Sequence, residues 1–159
     1  MFMMVQGVVQ VGVFHRVARD LAEVFGPDLF AASLFLLGEF ALTSSVLPNT
    51  PAVVAMVLLV KGCLVIIEAV PEADLGETFL REWPDPVFPV FSALMLGATL
   101  GGNATAIGAS ANIVAAGIAS KAGSSQSFVR FARYGVPITL AQIAVGALYV
   151  IVLDYSLRA

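Results

Sequence analysis

The chain has 159 residues, 59% of them hydrophobic and 12% charged, with a mean hydropathy of +0.94 and a net charge of −3. A soluble domain carries roughly 25% charged residues, and a soluble protein this apolar would expose patches large enough to aggregate. The composition therefore points to an integral membrane protein, and the apolar runs of helical length taken in order below to an all-α one. The negative balance argues against a nucleic-acid partner, and the one cysteine, Cys63, excludes an intrachain disulfide.

Residues 1–14 are apolar but too few for a full span, and no charged region precedes them as in a signal peptide. They read as the second half of a membrane helix, and the chain as a fragment or split half of a larger protein. From 15 to 25 apolar and charged positions alternate at helical spacing. Phe14, Val17, Leu21, Val24 and Phe25 share one face, opposite Arg16, Arg19, Asp20 and Glu23. That pattern predicts a short amphipathic helix lying along the membrane surface, in contact with lipid. Gly26-Pro27 ends it, and Asp28 is placed to cap the next helix.

Residues 29–70 hold two apolar stretches separated by Pro48-Asn49-Thr50-Pro51, with Thr43, Ser44 and Ser45 just before. Two prolines so close break a continuous helix. Two full spans joined by a tight turn, or a re-entrant hairpin that returns to the same face, both satisfy this. The charges favour the hairpin. Glu39 and Lys61 would sit at similar depth on antiparallel arms, roughly 15 Å from the tip. In a hairpin both reach the interface and can pair; in full spans both lie near mid-membrane, at about 2.5–3.5 kcal/mol each. A strongly acidic connector follows, over residues 70–86, with Trp83 suited to the headgroup level.

Residues 87–120 carry no charge. As one straight helix they would be about 50 Å long, well beyond a hydrocarbon core of roughly 30 Å. The breaking point is the run of glycines and small polar residues at 101–112. Non-helical backbone at membrane depth is tolerated where it is buried in protein or lines a cavity, which is how transporters build ion sites. A basic connector, 121–134, comes next, then a final span at 135–153 with Pro137 in its first turn. The positive-inside rule places that connector in the cytoplasm and the acidic one outside. The hairpin then enters from outside and the broken span runs inward.

Both interruptions offer what a membrane-buried ion site needs. Ser44, Ser45, Asn49 and Thr50 stand at the first, and Asn103, Thr105, Ser110 and Asn112 at the second. Gly102 and Gly108, with Gly101, let the backbone unwind and approach a ligand. Unwound carbonyls suit a hard cation such as sodium, and half-helix N-termini suit an anion. Small residues at helix crossings would account for the glycines by packing alone. Two amides in an apolar run demand partners. No nucleophile–base pair, metal cluster or phosphate loop is present in the sequence, so an enzyme is not expected and no cofactor is implied.

The run Gly101-Gly102-Asn103-Ala104-Thr105-Ala106-Ile107-Gly108-Ala109-Ser110-Ala111-Asn112 resembles the ion transporter superfamily, in its arsenite-permease and P-protein branch. Members carry Gly-Gly-Asn-x-Thr-x-Ile-Gly-Ala-Ser-Ala-Asn, and then a Phe-x-(Lys/Arg)-Tyr-Gly-x-Pro segment, here Phe131 to Pro137. At the hairpin tip this chain matches the family's serine, asparagine and final proline with Ser44, Asn49 and Pro51, while Pro48 replaces an aspartate. The resemblance implies the second half of an inverted-repeat transporter of the arsenite/anion permease or sodium–proton antiporter type. It implies coupling to sodium or protons, a small inorganic or organic ion as substrate, and the plasma (inner) membrane as location. It also implies a first repeat, supplied by a missing N-terminal part, and a homodimer built on it. The alternative is a non-transporting membrane subunit or pseudo-transporter half, marked by Pro48.

Overall fold

The computed structural model describes residues 13–26, 28–47, 49–67, 87–124 and 126–158. The expected partial helix at 1–14 falls almost wholly outside these, as do Pro27, Pro48 and nearly all of the acidic connector with Trp83. Among the described residues the secondary structure is entirely helical: α1 (Val13–Phe25), α2 (Leu29–Val46), α3 (Asn49–Ile66), α4 (Phe88–Gly101), α5 (Ser110–Lys121) and α6 (Phe128–Arg158). Two of them, Leu29–Val46 and Phe128–Arg158, are long and apolar enough to cross a membrane.

The core is built on α2 and α4. Their crossing is close because α4 presents glycine where α2 presents backbone. A Cβ on Gly97 would lie 2.6 Å from the Leu37 carbonyl oxygen, and one on Gly101 would overlap the Ala41 backbone. Small residues at that spacing are the standard means of bringing membrane helices together. Around the crossing, Leu36 and Phe40 of α2 meet Met56, Val60 and Leu64 of α3 and Val90, Phe91, Leu94 and Ala98 of α4. On the other side, Leu37 and Ala93 pack with Val150 of α6. Pro89 in the first turn of α4 sits where its missing N–H has no helical partner to lose.

Asp28 caps α2, its carboxylate accepting from the Ala31 N–H at 3.1 Å. Gly26 closes α1 with φ 54°. The strip of α1 buried against protein is made of its small residues. Ala18 and Ala22 are buried, and Ala18 meets Gly62 of α3, whereas Val17 and Val24 remain exposed. Alanine against glycine lets α1 lie close to α3, and the larger valines are left on the open flank of the apolar arc.

The two arms α2 and α3 diverge, α2 packing chiefly on α4 and α3 chiefly on α1. The expected Glu39–Lys61 pair is not made among the described residues. Glu39 instead accepts from the Thr43 hydroxyl one turn along its own helix, at 3.2 Å. The last helix also starts earlier than expected. α6 begins at Phe128 and absorbs Arg130 and Arg133, so Pro137 lies in its interior rather than its first turn. There it removes the N–H that would reach the Arg133 carbonyl. The remaining helical bonds and packing on α4 carry the helix through.

Candidate functional site

The apolar run at 87–120 is two helices, α4 and α5, joined by residues 102–109. α4, of 14 residues, is about 21 Å long and α5, of 12, about 18 Å, so neither crosses a hydrocarbon core of roughly 30 Å alone. The joining segment folds back onto the C-terminal end of α2. The Thr105 hydroxyl donates to the Ser45 carbonyl and in turn accepts from the Gly108 N–H, the latter at 3.1 Å. Gly108 is jammed against its surroundings: a Cβ there would lie 2.6 Å from the Gly102 oxygen and 3.0 Å from the Ser44 oxygen. Ser44, fully buried, donates through its hydroxyl to the Ala98 carbonyl on α4. Ser45 turns its own hydroxyl back to the Leu42 carbonyl at 2.6 Å.

Asn112, in the first turn of α5, ties the segment from its far side. Its amide nitrogen donates to the Gly102 carbonyl at 2.9 Å and to the Thr105 carbonyl at 3.0 Å. Both amide hydrogens are thereby used, and the side-chain oxygen has no partner among the described residues. Asn103 is exposed and points the other way. Its amide nitrogen donates to Gln142 Oε1 of α6 at 3.4 Å. Beside Asn103, the inner face of α6 touches the segment's main chain, and a Cβ on Gly135 would lie 2.6 Å from the Ala104 oxygen.

Between the break and α6 lies a cavity of about 320 Å³ whose lining includes Asn103, Asn112, Arg130, Tyr134 and Gln142. Arg130 is the charged residue of that lining. The N-terminus of α5 opens at the same break, preceded by Ala109, whose side chain makes no capping bond. Its first N–H groups place partial positive charge there. An anion in the cavity would meet Arg130; a cation would need oxygen ligands, which the amides of Asn103 and Asn112 carry.

Ser45, Gly102, Thr105, Gly108 and Asn112 thus form one hydrogen-bonded knot, with Ser44 packed beside it against Gly108, and Asn103 and Asn112 line the cavity. Ser110 is exposed and joins neither group. Asn49 and Thr50 stand in the first turn of α3, next to the knot in sequence, and their side chains lie outside the described residues. Arg130, Tyr134 and Gln142 were missed as lining residues. Gln142 carried a signal, as the one amide in the otherwise apolar stretch 135–153.

Transporters build ion sites on apolar helices interrupted by loops of this kind. The citrate transporter family profile matches residues 1–157, and the chain belongs to that family, within the ion transporter superfamily. It is 44% identical over 149 residues to a protein of Synechocystis sp. described as an uncharacterized transporter, covering 94% of this chain and 33% of that protein. An uncharacterized transporter of Mycobacterium tuberculosis is 37% identical over 149 residues, covering 94% of this chain and 32% of its own length. The P protein of Mus musculus is 39% identical over 124 residues, covering 77% of this chain and 13% of its own length. The chain thus spans about a third of the length of the first of these relatives. No solved structure matches.

Proposed function

We propose that this chain forms one wall of the ion site of a multi-pass secondary transporter for a small anion. The turn between α2 and α3 is the tip of a re-entrant hairpin, and residues 102–112 are the unwound centre of a broken span. The observation that carries this reading is the knot of hydrogen bonds from Thr105 and Asn112. It holds non-helical backbone against α2 beside a cavity lined by Asn103, Asn112 and Arg130. Arg130 in the lining and the absence of carboxylates from it, among the described residues, support an anion as the transported species. The family's description makes citrate the first substrate to test. Sodium or protons moving with it supply the driving force.

The test is flux in vesicles reconstituted with the full-length protein. Wild-type vesicles are expected to take up labelled citrate against its gradient when a sodium or proton gradient is imposed. Asn103→Ala is expected to abolish that uptake while the protein still inserts into the bilayer. Unchanged citrate flux in the variant would sink the assignment of the site. Arsenite or sodium–proton transport without citrate uptake would move the protein to another substrate class of the superfamily.

A further inference from the structure

We infer that the polar cavity and an apolar groove beside it form one site for a long-chain fatty acid, its carboxylate at Arg130 and its tail in the groove. The groove, of about 600 Å³, runs between α4 and α6 and is walled by Leu96, Leu100, Val145, Gly146 and Tyr149. It is continuous with the cavity, because Ile138 and Gln142 line both. A ligand of uniform polarity fills one of the two spaces. A ligand with a charged head and an apolar tail fills both.

The order of residues along α6 is the order of groups along such a molecule. Arg130 and Tyr134 come first, at the cavity, then Ile138 and Gln142 at the junction, then Val145 and Tyr149 in the groove. Arg130 lies in the first turn of α6, and with Arg133 it places that end of the helix at headgroup level. From Ile138 to Tyr149 the groove is about 17 Å long at 1.5 Å per residue, close to one leaflet of a hydrocarbon core of roughly 30 Å. A fatty acid resident in that leaflet already has this orientation and enters sideways. The way in is open, since Ile138, Val145 and Tyr149 are each more than half exposed. The Arg130 main-chain N–H donates to the Ser127 hydroxyl at 3.2 Å, while its guanidinium has no partner among the described residues. That charge selects a carboxylate over an uncharged head. One groove holds one tail, which selects a fatty acid over a two-tailed phospholipid. The consequence for transport rests on the reading of the site given above: a carboxylate at Arg130 occupies the space proposed for citrate, so the fatty acid blocks uptake from within the membrane.

The test is photolabelling of the full-length protein in phosphatidylcholine vesicles by palmitate carrying a diazirine on its tail, with labelled peptides mapped by mass spectrometry. Labels are expected on the groove residues of α4 and α6, displaced by excess palmitate but not by hexadecanol or phosphatidylglycerol. Arg130→Gln removes the charge, and Ala141→Phe fills the groove from its exposed rim. Each is expected to cut labelling about tenfold. Val145→Trp fills the same groove in case Ala141→Phe gives no folded protein, and gel filtration reports folding of each. In wild-type vesicles palmitate is expected to raise the KM for citrate severalfold at unchanged turnover, and in Ala141→Phe to leave it unchanged. Equal displacement by hexadecanol, or full labelling of Arg130→Gln, would mean that a tail is held without its head and would overturn the inference. Displacement by phosphatidylglycerol would overturn it in favour of a phospholipid. If labelling follows the expected pattern while wild-type vesicles take up no citrate, the reading of the site falls and the fatty-acid site stands.

Discussion

Asn112 spends both hydrogens of its amide on carbonyl groups that the unwound backbone cannot satisfy within a helix. Removing it leaves the Gly102 and Thr105 carbonyls unpaired in a half-buried place, at about 1–3 kcal/mol each. Asn112→Ala and Asn112→Asp, which both lack the NH2 group, are therefore expected to lower the thermal midpoint in detergent by similar amounts. If the aspartate variant keeps wild-type stability, the donors are not what holds the break. Glycines make a sharper contrast. Gly101→Ala drives a methyl group into the Ala41 backbone and is expected to destabilise by about 1–3 kcal/mol or more. Gly117→Ala, in the middle of α5 with nothing within 4 Å of the new methyl group, is expected to stabilise by about 0.5–1 kcal/mol. Comparing the two midpoints checks both. Thr139 is buried on α6 and its hydroxyl has no hydrogen-bond partner among the described residues. Thr139→Val keeps the shape and removes a desolvated polar group, so its midpoint is expected to equal or exceed that of wild type. A fall would mean that the hydroxyl is in use.

At the scale of elements, the long uncharged run and its glycines made a break legible before any packing was known. An uncharged helix that long would carry apolar surface well beyond the hydrocarbon core, and 101–112 is the stretch least able to stay helical. The polar face of α1 was equally legible from Arg16, Arg19, Asp20 and Glu23. The side on which it meets protein was not, because Ala18 is set against Gly62, distant in sequence on α3. The start of α6 was hidden for a different reason. Arg130, Arg133 and Tyr134 read as a connector, yet charge on the exposed turns of a helix end carries little penalty, and nothing from 128 to 136 breaks a helix. The knot was visible as a set of polar residues but not as a division of labour, since which amide ties the loop and which faces the cavity depends on where α2 and α6 come to rest. Pro137 gives a prediction at this scale. Pro137→Ala restores the N–H aimed at the Arg133 carbonyl and removes a residue about 3 kcal/mol less favourable than alanine inside a helix. Slower amide exchange is expected around 133–137, measured by deuterium uptake; unchanged exchange would show that another donor already serves that carbonyl.

Over the whole molecule, apolar surface is turned outward on a large scale. α5 buries none of its residues, and Ile113, Val114 and Ile118 on it, with Val145, Leu148 and Val152 on α6, are all more than half exposed. Such surface is stable against lipid tails or further protein and not against water. The protein is expected to stay in the membrane pellet after alkaline carbonate washing, and recovery in the supernatant would contradict an integral membrane assignment. The knot at the break bears on how so exposed an assembly can move. A gap in a helix is commonly a place where the two halves flex. Here α5 is tied through Asn112 to the loop at Gly102 and Thr105, and the loop is riveted through Thr105 to the end of α2. The interruption is pinned on one side only: the loop stays with α2, while α5, which buries none of its residues, hangs from it by the Asn112 bonds.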